Sequence, residues 1–561
     1  MPQAIDSTRN EETFDVIVVG AGFSGLYALH RLRDTLGLKV RVYESADDVG
    51  GTWYWNRYPG ARCDIPSYHY SYAFSEELQQ EWHWSEKYAA QPEILAYLRY
   101  VADKFDLRRD IRFETRVTSV RFDEDENVWE VETNDGSRAR APFFISAAGC
   151  LTAANIPDFE GRDSFRGETY FTGRWPHEGV DFSGKRVGII GTGATAIQAI
   201  PIIAREAGHL TVFQRTPNYA TPLRNEPLDP ELERDIKANY PEIRRKELDA
   251  LCGQPFDHLQ PSALEVSPEE RRRVYEECWQ AGGFSLWVGS YEDLLFDHEA
   301  NETAAEFVRE KIRERVDDPE LAEKLTPRDH PYGSKRQPCE TGYYETFNRD
   351  DVTLVDLRET PLEAITPRGI RTSAGEHELD VIVYATGFDA FTGGLYRMNI
   401  QGRDGERLED HWAAGPRTHL GLCTHGFPNL FLITGPLSPS VLFNMPRSAE
   451  QHVDWIADCI DYMRRNGYAT IEADREAEDR WIAHVKEIAD QTLLPEANSW
   501  YLGANVPGKP RVFMVYLGGG RMYREECDEN AAKGYEGFTF EPAAGRAPAN
   551  GTHAATARTA S

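Results

Sequence analysis

Two glycine-rich loops carry the first chemical signal in this chain. Gly20-Ala21-Gly22-Phe23-Ser24-Gly25 directly follows the apolar run Val16 to Val19, and Gly191-Thr192-Gly193-Ala194-Thr195-Ala196 directly follows Val187 to Ile190. Such a loop between a strand and a helix lets backbone close on a pyrophosphate. The helix N-terminus offers orphan N–H groups and the positive end of its dipole to that negative charge. What stands at the end of the next strand distinguishes the two loops. Glu44 lies twenty-four residues beyond Gly20, after Val40 to Tyr43, where a carboxylate binds ribose hydroxyls. At the same offset from Gly191, after Leu210 to Phe213, the chain reads Gln214-Arg215-Thr216. A guanidinium there holds a 2′-phosphate that a carboxylate would repel. Gly20, Gly22, Gly25 and Glu44 are therefore read as an FAD site, and Gly191, Thr192, Gly193, Arg215 and Thr216 as an NADPH site.

The elements that must position these loops are those of an α/β chain. After the first loop, Leu26, Leu29, Leu32 and Leu36 recur near helical spacing and Gly37 supplies a stop. In the second loop Ala196 takes the place of the third glycine, adding one methyl to the helix–strand contact. Two apolar runs, Phe143 to Ser146 and Val381 to Tyr384, end in Ala147-Ala148-Gly149 and Ala385-Thr386-Gly387, small residues suited to backbone near a cofactor. The expected fold is α/β, with two Rossmann-like dinucleotide-binding domains and a helical insertion. Residues 1–150 and 386–540 are assigned to the FAD domain, and 151–222 and 332–385 to the NADPH domain. Residues 223–331 are charged, helix-forming sequence: Ser267-Pro268-Glu269-Glu270 reads as a capping box, and Glu302 to Arg315 as an amphipathic helix. The final segment, 541–561, has almost no large apolar residue and is expected to be disordered.

Bulk properties narrow the function classes. At 561 residues, more than one core is expected. A formal net charge of −30, spread along the chain, argues against a nucleic-acid or anionic-membrane partner. No run approaches the roughly 18 apolar residues that span a bilayer, and the polar N-terminus lacks a signal core, so the cytoplasm is the expected compartment. No two of the eight cysteines lie within four residues of each other and no HExxH occurs, so neither a redox pair nor a metal site is expected.

Longer motifs then point to a family. Gly50-Gly51-Thr52-Trp53-Tyr54-Trp55-Asn56-Arg57-Tyr58-Pro59-Gly60-Ala61-Arg62-Cys63-Asp64 resembles a fingerprint of the type I Baeyer–Villiger monooxygenases. Phe165, Gly167, Phe171, Trp175 and Pro176 resemble a second one, except that Phe171 occupies its histidine position. Gly333-Ser334-Lys335-Arg336 with Gly342 to Arg349, and Ser499 to Lys509, are similar to further segments of that family, and the resemblance runs from about Phe14 to Phe540. It is closest to the phenylacetone and steroid monooxygenase branch. The resemblance implies an enzyme in which NADPH reduces FAD, the flavin takes up O2 as a C4a-peroxyflavin, and a ketone becomes an ester or lactone. It implies that Arg336 is the active-site cation, oriented by Asp64, and that Lys335 joins Arg215 at the nicotinamide cofactor's phosphate. Thr52, Trp53, Asp64, Tyr70 and Met445 would lie at the flavin. Trp500 would sit on a mobile loop over the NADPH, and Leu442, Phe443 and Met445 would wall the substrate pocket. Phe171 can fill the histidine's volume but cannot titrate, so it is read as a packing replacement. A sharper reading makes it a cause of poor coupling between NADPH use and oxygenation. A heteroatom-oxidising flavin monooxygenase shares both loops; Trp175-Pro176 and Lys335-Arg336 favour the ketone-oxidising reading. The implied small-molecule partners are a ketone and O2, and a monomer is compatible with all of these features.

Overall fold

A computed structural model describes residues 12–256 and 259–543. Two five-stranded parallel sheets dominate it, and they follow one plan. In the first, Val16–Val19 lies between Val40–Tyr43 and Phe143–Ser146, with Val16 opposite both Val40 and Phe143. Leu430–Leu432 and Ile111–Arg112 extend this sheet at its two edges. In the second, Arg186–Ile190 lies between His209–Gln214 and Val381–Tyr384, flanked in turn by Val352–Asp356 and Glu168–Phe171. The central strands are apolar and buried over most of their length, as parallel strands covered on both faces must be. Each glycine loop leaves the carboxyl end of its sheet's central strand, at the point where neighbouring strands continue to opposite sides.

A helix follows each loop. Phe23–His30 buries Leu26 and Leu29, then continues as one wider turn to Thr35 before Gly37, whose φ of 66° ends it. Ala194–Glu206 buries Ala196, Ile197, Ile200 and Ile203, and Ala196 is accommodated without exposure.

Helices Pro230–Asp249, Pro268–Ala281, His298–Arg313 and Pro319–Leu325 occupy most of the 223–331 stretch. Ser267 caps its helix by accepting from the Glu270 amide at 3.2 Å. The Glu270 carboxylate turns outward to Arg273 instead of back to Ser267, because a two-pronged ion pair one turn ahead holds both its oxygens. The helix expected from Glu302 begins a turn earlier, since Asp297 accepts from the Ala300 amide at 2.9 Å. The expected disordered tail is corrected at its start. Glu541 and Pro542 complete the strand Phe538–Pro542, paired antiparallel with Tyr468–Ala473, and Arg403 holds Glu541 at 3.1 Å. The rest of that segment, 544–561, lies outside the described residues. Among the described residues no helix is long and apolar enough to cross a membrane.

Candidate active site

Close backbone packing explains the glycines of both loops. Gly20 has a φ of 106°, and a Cβ there would lie 2.5 Å from the Ala147 carbonyl oxygen. Gly191 repeats this with a φ of 119° and the Ala385 carbonyl oxygen at 2.4 Å. The two strand endings singled out in the sequence are thus the surfaces on which the two loops sit. A Cβ on Gly25 would meet the Gly20 oxygen at 1.7 Å, and one on Gly22 would meet the Gly51 Cα at 3.3 Å. Gly193, by contrast, would meet nothing within 4 Å, so that loop has open space beside it.

On the first sheet Glu44 is buried. Its carboxylate accepts from the Ala21 amide and the Ala46 amide, both at 2.8 Å, while burial pushes its pKa up. It therefore fixes the loop's own backbone and retains lone pairs for a further donor. Thr52 is exposed and opens the short helix Thr52–Trp55, next to Gly22. Trp53 donates to the Tyr70 hydroxyl at 3.2 Å with the rings edge to face, 5.8 Å apart. The residues present fit FAD: a glycine cradle, a carboxylate at the second strand end and an aromatic wall.

On the second sheet the Thr192 hydroxyl donates to the Thr216 carbonyl at 2.7 Å, tying the loop to the strand end that carries Arg215. Arg215 is exposed and has no ion-pair partner among the described residues. Lys335 is half-buried; burial first, and then Arg215, pull its pKa down. Two neighbouring cations beside a glycine loop with open space fit the 2′-phosphate and pyrophosphate of NADPH.

Between these two cradles Arg336 meets Asp64, brought together across 272 residues of sequence. Arg336 Nη2 donates to Asp64 Oδ2 at 3.3 Å and Nη1 to the Gln337 carbonyl at 2.7 Å. Its guanidinium lies over the ring of Phe284, 4.5 Å from the centroid, with Trp287 at 6.0 Å. Gln198, on the helix after the second loop, donates to Asp64 Oδ1 at 3.3 Å and accepts from the Tyr58 hydroxyl at 2.8 Å. Burial pushes the Asp64 carboxyl up to about 6, against the pull of Arg336. Gln198, Phe284 and Trp287 were not singled out from the sequence. A polar residue inside a helix gives no signal, and the one local cue to the aromatic pair is the Gly282-Gly283 that precedes it.

Arg336 stands on the wall of a cavity whose lining is otherwise mostly apolar, including Phe284, Trp287, Leu442 and Phe443. Met445 is a correction: it does not line this cavity but packs with Cys150, Phe391 and Tyr501. The cause is the path of the 434–445 segment. Thr434, Leu437 and Ser440 all have positive φ, at 53°, 67° and 40°, and the chain turns into the Met445–Asn466 helix just after Phe443. The segment around Trp500, expected as a loop over the NADPH, packs on the chain beside it. Trp500 stacks on Phe391 at 5.6 Å, Lys509 donates to Asp389 at 2.6 Å, and Asn505 donates to the Phe388 carbonyl at 2.7 Å. These contacts hold it folded against the 386–391 turn.

The second fingerprint packs on the first: the Trp175 amide donates to the Trp55 carbonyl at 3.4 Å, and Arg174 lies over the Trp55 ring. Phe171 ends the edge strand opposite Tyr384 and is buried among Ile190, Phe213 and Ile382, with Phe388 edge-on at 5.7 Å. Its surroundings are apolar and suit a packing replacement. All eight cysteines are free and only Cys252 is not fully buried. Among the described residues no group of three metal-ligating side chains occurs.

Two dinucleotide cradles flanking a half-buried cation and an apolar cavity define a pyridine-nucleotide-dependent flavoprotein oxidoreductase. A family model described as flavin-binding monooxygenase-like matches residues 14–220. The chain is 45% identical to 2-oxo-Δ3-4,5,5-trimethylcyclopentenylacetyl-CoA monooxygenase of Pseudomonas putida, over 93% of this chain and 98% of that one. It is 46% identical to acetone monooxygenase (methyl acetate-forming) of Gordonia sp. strain TY-5, over 94% and 99%. The solved structure of an oxidized steroid monooxygenase bound to NADP is 55% identical with a TM-score of 0.90, covering 95% of this chain and all of that one (100%). The chain belongs to the FAD- and NADPH-dependent monooxygenases of the Baeyer–Villiger type.

Proposed function

We propose that this enzyme oxidises apolar aryl, cyclic or steroid-like ketones in the cytoplasm. Residues 1–150 and 386–540 would form the FAD domain, and 151–222 and 332–385 the NADPH domain. When bound, NADPH would supply the hydride and FAD the means of activating O2, from which the inserted atom comes. The chain's own residues do the rest. Arg336 holds negative charge at the reacting oxygen, since a guanidinium is always protonated and keeps N–H groups to spare after its bond to Asp64. Asp64 keeps that guanidinium in place and is itself held by Gln198. Arg215 and Lys335 hold the NADPH 2′-phosphate, with Thr192 and Thr216 shaping the loop and Trp500 covering the nicotinamide side. Gly20, Gly22, Gly25, Glu44, Thr52, Trp53 and Tyr70 cradle FAD, with Met445 beside it. Leu442 and Phe443 exclude water and favour an apolar substrate. Free thiols throughout suit a reducing compartment.

The observation that carries this reading is the placement of Arg336, 3.3 Å from a buried carboxylate at the wall of an apolar cavity. Arg336→Ala tests it. The variant is expected to bind FAD and accept hydride from NADPH, yet to lose ester formation by roughly 10²–10³-fold, the scale of a missing oxyanion donor. Retained ester formation would remove Arg336 from the assigned role.

A further inference from the structure

Directly behind the cavity wall lies a buried ionic cluster that the reaction does not use. Glu247, in the last turn of Pro230–Asp249, is fully buried. Its carboxylate lies 2.7 Å from His69 Nδ1, accepts from Arg244 Nη1 at 2.9 Å, and has Arg447 Nε at 3.3 Å. Arg244 also donates to Ser71 Oγ at 2.8 Å. Glu450 accepts from the Ala73 and Phe74 amides at 2.7 and 2.9 Å and from Arg447. Two arginines and two glutamates thus balance around His69, in a place where an unpaired charge would be costly.

Three wall segments converge on this cluster, and Asn444 joins them. The Asn444 side-chain amide donates to the His69 carbonyl at 2.7 Å and reaches the Gly253 carbonyl at 3.5 Å, while its backbone N–H donates to the Cys252 carbonyl at 2.9 Å. Asn444 is fully buried and its side chain makes no cap bond to the helix it precedes. On the cavity side the same segments present Ile65, Leu251, Cys252, Leu442 and Phe443. The spacing between the 63–70 turn, the 251–254 turn and the 439–443 turn is therefore fixed by groups outside the cavity.

We propose that Glu247 and Asn444 are positioning residues that set the width of the substrate cavity, and with it the size of ketone accepted. This rests on the proposed function only for its ketone readout. Bonds that tie three loops together from behind fix their separation without touching the substrate. Loosening them changes which ligands fit while leaving the two nucleotide cradles, which share none of these bonds, as they are.

The test uses the full-length FAD-loaded enzyme and two variants, Glu247→Gln and Asn444→Ala. Each is assayed with cyclohexanone and with a four-ring steroid ketone, alongside anaerobic flavin reduction by NADPH. The ratio of kcat/KM for the two ketones is expected to shift by about tenfold, with flavin reduction unchanged within about twofold. A second readout needs no ketone: the rate at which a maleimide labels Cys252, the one cysteine not fully buried, located by peptide mapping. Labelling is expected to rise at least tenfold while buried Cys459 and Cys527 stay protected, which marks local release and not unfolding. An unchanged ketone ratio together with unchanged Cys252 labelling overturns the proposal. Labelling of all three cysteines in both variants also overturns it, because the cluster would then be a general stability element. Failure of the unmodified enzyme to oxygenate either ketone counts against the functional reading alone, and the Cys252 rates still decide the positioning role.

Discussion

Replacing Asp64 by Asn is expected to move stability and activity in opposite directions. The carboxyl is pushed from 3.8 to about 6 in the folded protein, because burial outweighs the attraction of Arg336. The folded state therefore holds this proton more tightly than the unfolded chain. Its contribution is fully present below pH 3.8 and is lost as pH rises to about 6. A difference of roughly two pKa units corresponds to about 3 kcal/mol, so ionised Asp64 costs the fold that much at pH 8 relative to its protonated form. Asn keeps the shape and can still meet Gln198, but it carries no charge to desolvate. Its denaturant midpoint at pH 8 is expected to equal or exceed that of the unmodified protein, with the advantage gone below pH 4. Ester formation should respond the other way. The charged acceptor of the Arg336 bond is lost, an interaction worth about 1.5–3 kcal/mol, or roughly a 10- to 100-fold fall at pH 8. The unmodified enzyme should lose activity as pH falls through about 6, when Asp64 takes up its proton, and the variant should lack that limb. Urea titrations at several pH values and a pH–rate profile of ester production check both halves. A destabilised Asn variant with full activity, or one that keeps the acid limb, would refute the reasoning.

Other expectations follow from single contacts. Arg215→Ala should raise KM for NADPH about tenfold or more and leave NADH nearly unaffected, since a charge-assisted bond to the 2′-phosphate is at stake; an unaltered cofactor preference in steady-state kinetics contradicts it. Gly20→Ala places a methyl 2.5 Å from the Ala147 oxygen at a φ of 106° and should release FAD during gel filtration. Phe171→His buries an imidazole among Ile190, Phe213 and Ile382, and should lower stability by about 1–3 kcal/mol in a thermal melt with the ester-to-peroxide ratio unchanged. A ratio shifted towards ester would favour the coupling role instead.

Sequence legibility followed locality. The loops, their strands and the 2′-phosphate discriminator are written within windows of about thirty residues, because strand, turn and helix N-terminus are contiguous. The meeting of Asp64 and Arg336 has no local signal, and only resemblance suggested it. Gln198, Phe284 and Trp287 matter through tertiary approach alone. Met445 follows Phe443 by two positions, yet positive φ angles upstream and a new helix turn it to the other side of the wall. Around Trp500 the sequence shows polar residues but not their partners, which Lys509 and Asn505 find in Asp389 and the Phe388 carbonyl, 120 and 117 positions away. Glu541 and Pro542 looked like tail by composition and instead pair antiparallel with Tyr468–Ala473.

The central claim is oxygen insertion beside a ketone carbonyl, and isotopic oxygen tests it most directly. The enzyme would be supplied with NADPH, 18O2 and phenylacetone, and the products resolved by mass spectrometry. The account predicts benzyl acetate carrying one 18O atom, formed in step with NADPH consumption. Consumption yielding only labelled peroxide with every ketone tried, or label appearing solely on an added sulfide or amine, would contradict it.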